Sequence, residues 1–128
     1  MVPPALRYTK SHEWAKLDQG VCTVGISQFA VDLLTDVTHV EMPAVGRKVT
    51  AGQPFGEVES VKAVSDLYAP VDGEIIETNP VLVENAALIG EDPYGRGWLV
   101  KIKVKDGATL EHLLSPETYE KQIASEGH

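Results

Sequence analysis

Two related stretches of sequence constrain this chain more than any single residue does. Pro43-x-x-Gly46-x-x-Val49-x-x-Gly52 recurs 27 residues later as Pro70-x-x-Gly73-x-x-Ile76-x-x-Asn79. Each copy reads as turn, strand, turn, and Gly52 and Asn79 are both residue types that enter the left-handed conformation a tight turn requires. Two such copies predict a pseudo-symmetric pair of small sheets and leave the joining segment, 57–69, as a hairpin projecting from one end. The clearest strand lies further on, where Trp98, Val100, Ile102 and Val104 alternate with three lysines. Shorter runs at 21–26, 37–42, 55–60 and 74–78 are bounded by Gly, Pro, Asn or Asp, the residues of turns. Many short strands predict a mainly β fold, a flattened barrel or sandwich of two pseudo-symmetric sheets.

Helical signals are fewer and peripheral. Ser27 is placed to cap a short helix with Phe29, Ala30, Leu33 and Leu34 on one stripe. A C-terminal helical region is expected over 106–128: Leu110, Leu113 and Leu114 form an apolar turn, and Ser115-Pro116-Glu117 reads as cap, first helical position and dipole-matched acid ahead of Tyr119 and Ile123. Gly25, Gly46, Gly73, Gly95 and Gly97 are read as backbone geometry, and Trp98 as a core anchor.

Composition narrows the function. At 128 residues the chain is one domain, 1–128, and 43% hydrophobic residues supply a core. Eleven Lys and Arg against 19 Asp and Glu give a net charge of −8, which repels a phosphate backbone and argues against nucleic acid. The single cysteine, Cys22, forms no disulfide within the chain, and no closely spaced Cys/His cluster offers a metal site. No run approaches the ~18 apolar residues of a membrane span, and Met1 to Arg7 has no leader pattern, so a cytoplasmic protein off the membrane is expected. A nucleophile with a paired base and a phosphate-cradling loop are both missing, which argues against an enzyme.

Chemistry concentrates in the joining hairpin, at Glu59-Ser60-Val61-Lys62-Ala63-Val64-Ser65-Asp66. Its tip has none of the Asn-Gly or Asp-Gly pairs that dictate tight turns. Two readings fit a lysine there: a solvated gatekeeper against edge pairing, or an ε-amine offered to an acylating enzyme.

Glu59-Ser60-Val61-Lys62-Ala63, followed by Ser65-Asp66, Ala69-Pro70 and Gly73-Glu74-Ile75, closely resembles the attachment hairpin of lipoyl carrier domains. Ser11-His12-Glu13-Trp14, Val24-Gly25-Ile26-Ser27, Val40-Glu41-Met42-Pro43-x-x-Gly46 and Asp92-Pro93-Tyr94-Gly95-x-Gly97-Trp98 stand in the order and spacing of the glycine cleavage H-protein family. The resemblance covers about residues 6–123 and several independent blocks, which makes it specific. It implies a lipoyl-domain-like fold and lipoic acid in amide linkage on Lys62. It further implies that Glu59 and Ser60 are recognised by lipoate-attaching enzymes, and that Ser11, Glu13 and Asp66 contact the arm and its cargo. In that family a pyridoxal phosphate-dependent glycine dehydrogenase loads an aminomethyl group onto one lipoyl sulfur, a folate-dependent aminomethyltransferase unloads it, and dihydrolipoyl dehydrogenase reoxidises the dithiol. The carrier is a shuttle that breaks no bond. A monomer is implied, cytoplasmic or, in a eukaryote, in the mitochondrial matrix.

His12 is expected to pack beside Trp14 or stay solvated, and His39, His112 and His128 share no ligand spacing with it. Thr35, Thr38-His39, Phe29, Ala86 and Gly90 depart from the family pattern. A biotinyl carrier is the rival cofactor reading, disfavoured because Val61 and Ala63 flank Lys62 while Met1 and Met42 lie elsewhere. A lipoyl relay that donates to other dehydrogenase complexes is the rival role.

Overall fold

Ladder pairing turns these short apolar runs into two antiparallel sheets. The computed structural model describes residues 2–126. In chain order the elements are β1 (Arg7–Tyr8), β2 (Glu13–Asp18), β3 (Val21–Ile26), α1 (Gln28–Leu34), β4 (Val37–Glu41), β5 (Lys48–Val49), β6 (Pro54–Ser60), β7 (Val64–Tyr68), β8 (Gly73–Thr78), α2 (Val81–Glu84), α3 (Leu88–Glu91), β9 (Val100–Lys103) and α4 (Pro116–Glu126). One sheet runs β1-β2-β3-β9-β8-β5 and the other β4-β6-β7. They form the flattened, mainly β sandwich expected, not a closed barrel, and they are unequal in size.

The two repeat copies meet directly. Lys48 lies opposite Glu74 and Val49 opposite Gly73. Gly46 N–H donates to the Ile75 carbonyl at 2.7 Å, and Ile75 N–H donates to Arg47 at 2.9 Å. Gly46 and Gly52 take φ of 97° and 85°, the conformation glycine tolerates. Gly73 is needed for a different reason: a Cβ there would overlap the Lys103 carbonyl oxygen, so only glycine lets β8 lie against β9. Asn79 corrects its expectation. It is buried and not left-handed, and its amide donates to the carbonyls of Arg96 (2.8 Å) and Trp98 (2.9 Å), pinning the approach to β9. Ile76, the match to Val49, is 38% exposed, because a register shift between Ile75 and Glu77 hands the core position to Ile75.

Most of the core is one cluster running from Ala15, Cys22 and Val24 through Phe55, Val58 and Leu67 to Leu99, Val100 and Ile102. Burial raises the Cys22 thiol to about 12, so it is inert at neutral pH. Ser27 caps α1 as expected, its hydroxyl accepting from Ala30 N–H at 3.3 Å. The buried side chains of α1 are Val31 and Leu34, while Leu33 faces out. Trp98 also differs from expectation: it is half-buried with the Lys101 ammonium 4.9 Å from its ring centre. The buried indole is Trp14, which donates to the Pro93 carbonyl at 2.9 Å and fills the space a Cβ on Gly25 would occupy. Among the described residues of the C-terminal region expected to be helical, only Pro116–Glu126 is helix, with Ser115 accepting from Thr118 N–H. Residues 106–115 run as turns that end where Leu114 bridges Tyr8.

Thr35 ends α1 at φ 65° and ψ −114°, its N–H donating to the Val31 carbonyl. A β-branched residue in that region carries about 1–2 kcal/mol of strain that glycine lacks. Thr35→Gly is expected to stabilise the fold by about 1 kcal/mol, raising the melting temperature by roughly 4 °C. An unchanged or lower melting temperature in thermal denaturation contradicts this.

Candidate functional site

The β6–β7 hairpin closes on itself without a glycine. Ser60 N–H donates to the Ala63 carbonyl at 2.8 Å, and the Ser60 hydroxyl accepts from the N–H groups of Lys62 (3.3 Å) and Ala63 (3.1 Å). A serine side chain thereby does locally what turn glycines do by conformation. The tip is tied sideways too, since Val61 N–H donates to the Asp36 carbonyl at 3.1 Å. Thr38, one of the departures from the family pattern, donates to the Glu59 carbonyl at 3.3 Å.

Lys62 stands exposed at this tip between Val61, 69% exposed, and Val64, 59% exposed. Among the described residues no group bonds its side chain. The turn is thus held by the backbone and Ser60, leaving the amine free. Glu59 is half-buried on β6 opposite Val64. Ser60 has a turn-closing task that sequence alone did not reveal.

From the tip, β7 runs about 13 Å, four steps of ~3.3 Å, to Tyr68. Asp66 lies exposed on this strand, on the same face as Val64 and Tyr68 and opposite Glu57 in the ladder. It lines a hollow of about 220 Å³ with Glu41, Met42 and Arg47, separate from the residues that follow.

Ser11 and Glu13 are brought together. The Glu13 side chain is 1% exposed. Its Oε1 accepts from the hydroxyls of Ser11 and Thr9, both at 2.5 Å, and its Oε2 accepts from Tyr68 N–H at 3.2 Å. Burial raises its pKa above the ordinary glutamate value, while the bonds from Ser11, Thr9 and Tyr68 pull it back down. No basic side chain among the described residues pairs with it. Its three hydrogen-bond partners, Thr9, Ser11 and Tyr68, line a cleft of about 460 Å³ together with Lys10, Pro70 and His112, and Glu13 itself lies behind them. His112 Nε2 meets the Pro70 carbonyl at 2.7 Å and forms part of its wall. A carboxylate without a paired base, one hydroxyl layer behind a half-open cleft, attracts a small cation that can part that layer.

His12 corrects its expectation. It sits at φ 77°, with Nδ1 2.8 Å from the Tyr119 hydroxyl and Nε2 3.1 Å from Glu126 Oε1. Tyr119 in turn bonds Ser27 at 2.5 Å and stacks on Tyr8, ring centres 4.4 Å apart. Gln122 donates to the Lys10 carbonyl at 2.9 Å. These contacts clamp α4 onto the loop that carries Ser11. Phe29 lies against the His12 ring at 5.0 Å, and Gly90 packs beside Val31, both away from the cleft. No group of three or more His, Cys, Asp or Glu among the described residues is placed to hold a metal. His128 lies outside the described residues.

Thr9, Tyr68 and His112 were not singled out by sequence. Thr9 precedes the Ser-His-Glu-Trp block by two residues, and the Thr-x-Ser-x-Glu alternation at 9, 11 and 13 was its available signal.

Known proteins match this chain in sequence and in fold. The Glycine cleavage H-protein family model matches residues 6–126. The chain is 48% identical over 127 residues to the glycine cleavage system H protein of Carboxydothermus hydrogenoformans, covering 99% of this chain and 98% of the other. It is 49% identical over 126 residues to that of Thermobifida fusca, covering 98% of each. A crystal structure of a glycine cleavage system H protein from Mycobacterium marinum superposes with a TM-score of 0.87 at 40% identity, covering 95% of this chain and 98% of that one.

The Glu13 environment fixes a pH dependence. Because its carboxyl holds a proton more tightly folded than unfolded, it binds more protons in the native state between the unfolded value, ~4.3, and the higher folded one. Stability from this group is complete below that window and is lost as pH rises through it. Glu13→Gln is expected to remove this component, so melting temperatures of variant and parent diverge in the variant's favour as pH rises. A gap between the two curves that stays constant from pH 4 to 8 contradicts it.

Proposed function

This chain belongs to the glycine cleavage H-protein family, the lipoyl-carrying shuttles of glycine cleavage, and we propose that Lys62 is its point of lipoylation. One observation carries the residue assignment: Lys62 is exposed at the tip of a turn closed by other groups, so its amine can enter an attaching enzyme without the fold yielding. Val61 and Ala63 beside it favour lipoate over biotin as the acyl group. When bound, the lipoyl group supplies a disulfide, one sulfur of which takes the aminomethyl carbon of glycine as carbon dioxide leaves, while the other becomes a thiol.

The chain's own residues then do three things. Ser60 holds the turn and, with Glu59, presents the lysine to lipoate-attaching enzymes. Asp66, on the strand face leading from tip to cleft, meets a returning arm. Ser11 and, behind it, Glu13 bind the ammonium of the cargo, and the cleft that Ser11 lines limits the access of water. Catalysis stays with the partners: the decarboxylating glycine dehydrogenase, the aminomethyltransferase and dihydrolipoyl dehydrogenase. The net charge of −8 suits steering of a monomeric cytoplasmic carrier toward basic docking sites. No helix among the described residues is long and apolar enough to cross a membrane.

Peptide mapping of protein from its native source is expected to find lipoic acid less water added at Lys62. Lys62→Arg should abolish that modification and glycine-dependent carbon dioxide exchange with the cognate dehydrogenase, while its melting temperature stays within about 1 °C because the side chain is exposed. An unmodified Lys62 in lipoate-replete cells overturns the assignment. Full lipoylation without exchange turns the role into that of a lipoyl relay.

Association with the glycine dehydrogenase should weaken as salt rises from 50 to 500 mM, through a slower on-rate. Salt-independent binding contradicts charge steering.

A further inference from the structure

We propose that Thr9 is a positioning residue of the cleft: it holds the Glu13 carboxylate in place so that Ser11, and not Thr9, gives way when a primary ammonium arrives. This rests on the reading of Ser11 and Glu13 as the cargo site. Glu13 Oε1 already accepts two hydroxyl hydrogen bonds, the full complement of a carboxylate oxygen. Thr9 and Ser11 line the cleft and Glu13 lies behind them, so a cation reaching that oxygen must displace one of the two hydroxyls.

The two hydroxyls are not equally held. Thr9 Oγ1 donates to Glu13 Oε1 and also accepts Glu13 N–H at 3.0 Å, closing a ring with one residue at both ends. The backbone locks it further, since Thr9 N–H donates to the Glu13 carbonyl at 2.9 Å and the Thr9 carbonyl accepts from His12 N–H at 3.2 Å. Turning the Thr9 hydroxyl away would break two hydrogen bonds. The β-branched side chain also has few alternative rotamers. Ser11 is exposed, and its hydroxyl makes one bond to Glu13 and one 3.1 Å contact with Thr9 itself. It can rotate outward at the loss of a single strong bond and then accept from the ammonium. Thr9 is the fixed jaw and Ser11 the moving one.

The test combines a measurement on the unmodified protein with one on the loaded carrier, comparing Thr9→Val, which removes the hydroxyl, with Thr9→Ser, which keeps it. In the unmodified protein the Glu13 carboxyl carbon is titrated by NMR. Its midpoint is expected to rise by about one pH unit in Thr9→Val, the loss of one hydrogen bond to a charged group, and to return near the parent value in Thr9→Ser. In the carrier loaded with aminomethyl cargo, spontaneous ammonia release should be roughly 10-fold faster in Thr9→Val, as one pH unit of lost stabilisation implies, and restored in Thr9→Ser. An unchanged midpoint overturns the proposal, and so does a shifted midpoint with an unchanged release rate. Failure of Thr9→Ser to restore either reading overturns it too. Should Thr9→Val not fold, Thr9→Ala removes the same hydroxyl with less crowding. A carrier that takes no lipoyl group at Lys62 would defeat the Lys62 assignment alone, because the Glu13 midpoint is read without it.

Discussion

The carboxylate of Glu13 is where the two sheets are joined by a polar contact at the functional end. Glu13 hangs from β2 of the six-stranded sheet, yet one of its oxygens accepts the N–H of Tyr68, the last residue of β7 in the three-stranded sheet. β7 is also the return arm of the lysine hairpin. The same side chain therefore fixes the cleft relative to the strand that leads to Lys62. Burying a carboxylate without a counter-ion is costly, and here three neutral donors offset part of that cost. What they leave uncompensated is charge, the property a cationic cargo supplies.

Rigid and free parts are sharply divided. The turn that bears Lys62 is held by Ser60 and Asp36, so the freedom of a long arm begins at the lysine side chain and not in the backbone. On the far side of the cleft, α4 holds the Lys10–His12 loop through Tyr119, Gln122 and Glu126. A helix that looks like a peripheral cap thus keeps Ser11 at a fixed distance from Tyr68. The Tyr8–Tyr119 stack and the Ser27 bond continue this clamp into the cap of α1.

Much of this was legible in the sequence, for physical reasons that particular residues make plain. β3 and β8 announce themselves by apolar runs between turn residues, and Ser27 and Ser115 cap the helices they were expected to cap. β2 did not announce itself, because Glu13, Trp14 and Ala15 are all buried. A strand covered on both faces shows no alternation. Asn79 was misread because a buried amide satisfying two carbonyls and a residue entering a tight turn are drawn from the same amino-acid type. The repeat match of Ile76 to Val49 does not carry over to burial, because a ladder irregularity moves the core face by one residue. At the site, the hairpin and its lysine were readable from the family blocks, and Ser11 and Glu13 came with them. Thr9, Tyr68 and His112 were not: two of them act through a backbone N–H or a contact with a backbone carbonyl, groups that carry no residue-specific signature.

In the loaded carrier the arm leaves the tip and lodges its cargo beside Ser11 and Glu13. The most direct test is NMR of the lipoylated protein with an isotope-labelled methylene derived from glycine. Relaxation and nuclear Overhauser contacts would be compared between the oxidised arm and the loaded one. An arm that is mobile when oxidised, but ordered when loaded with contacts to Ser11 and Tyr68, is the predicted result. A loaded arm as mobile as the oxidised one, with no contact to the cleft, would contradict it.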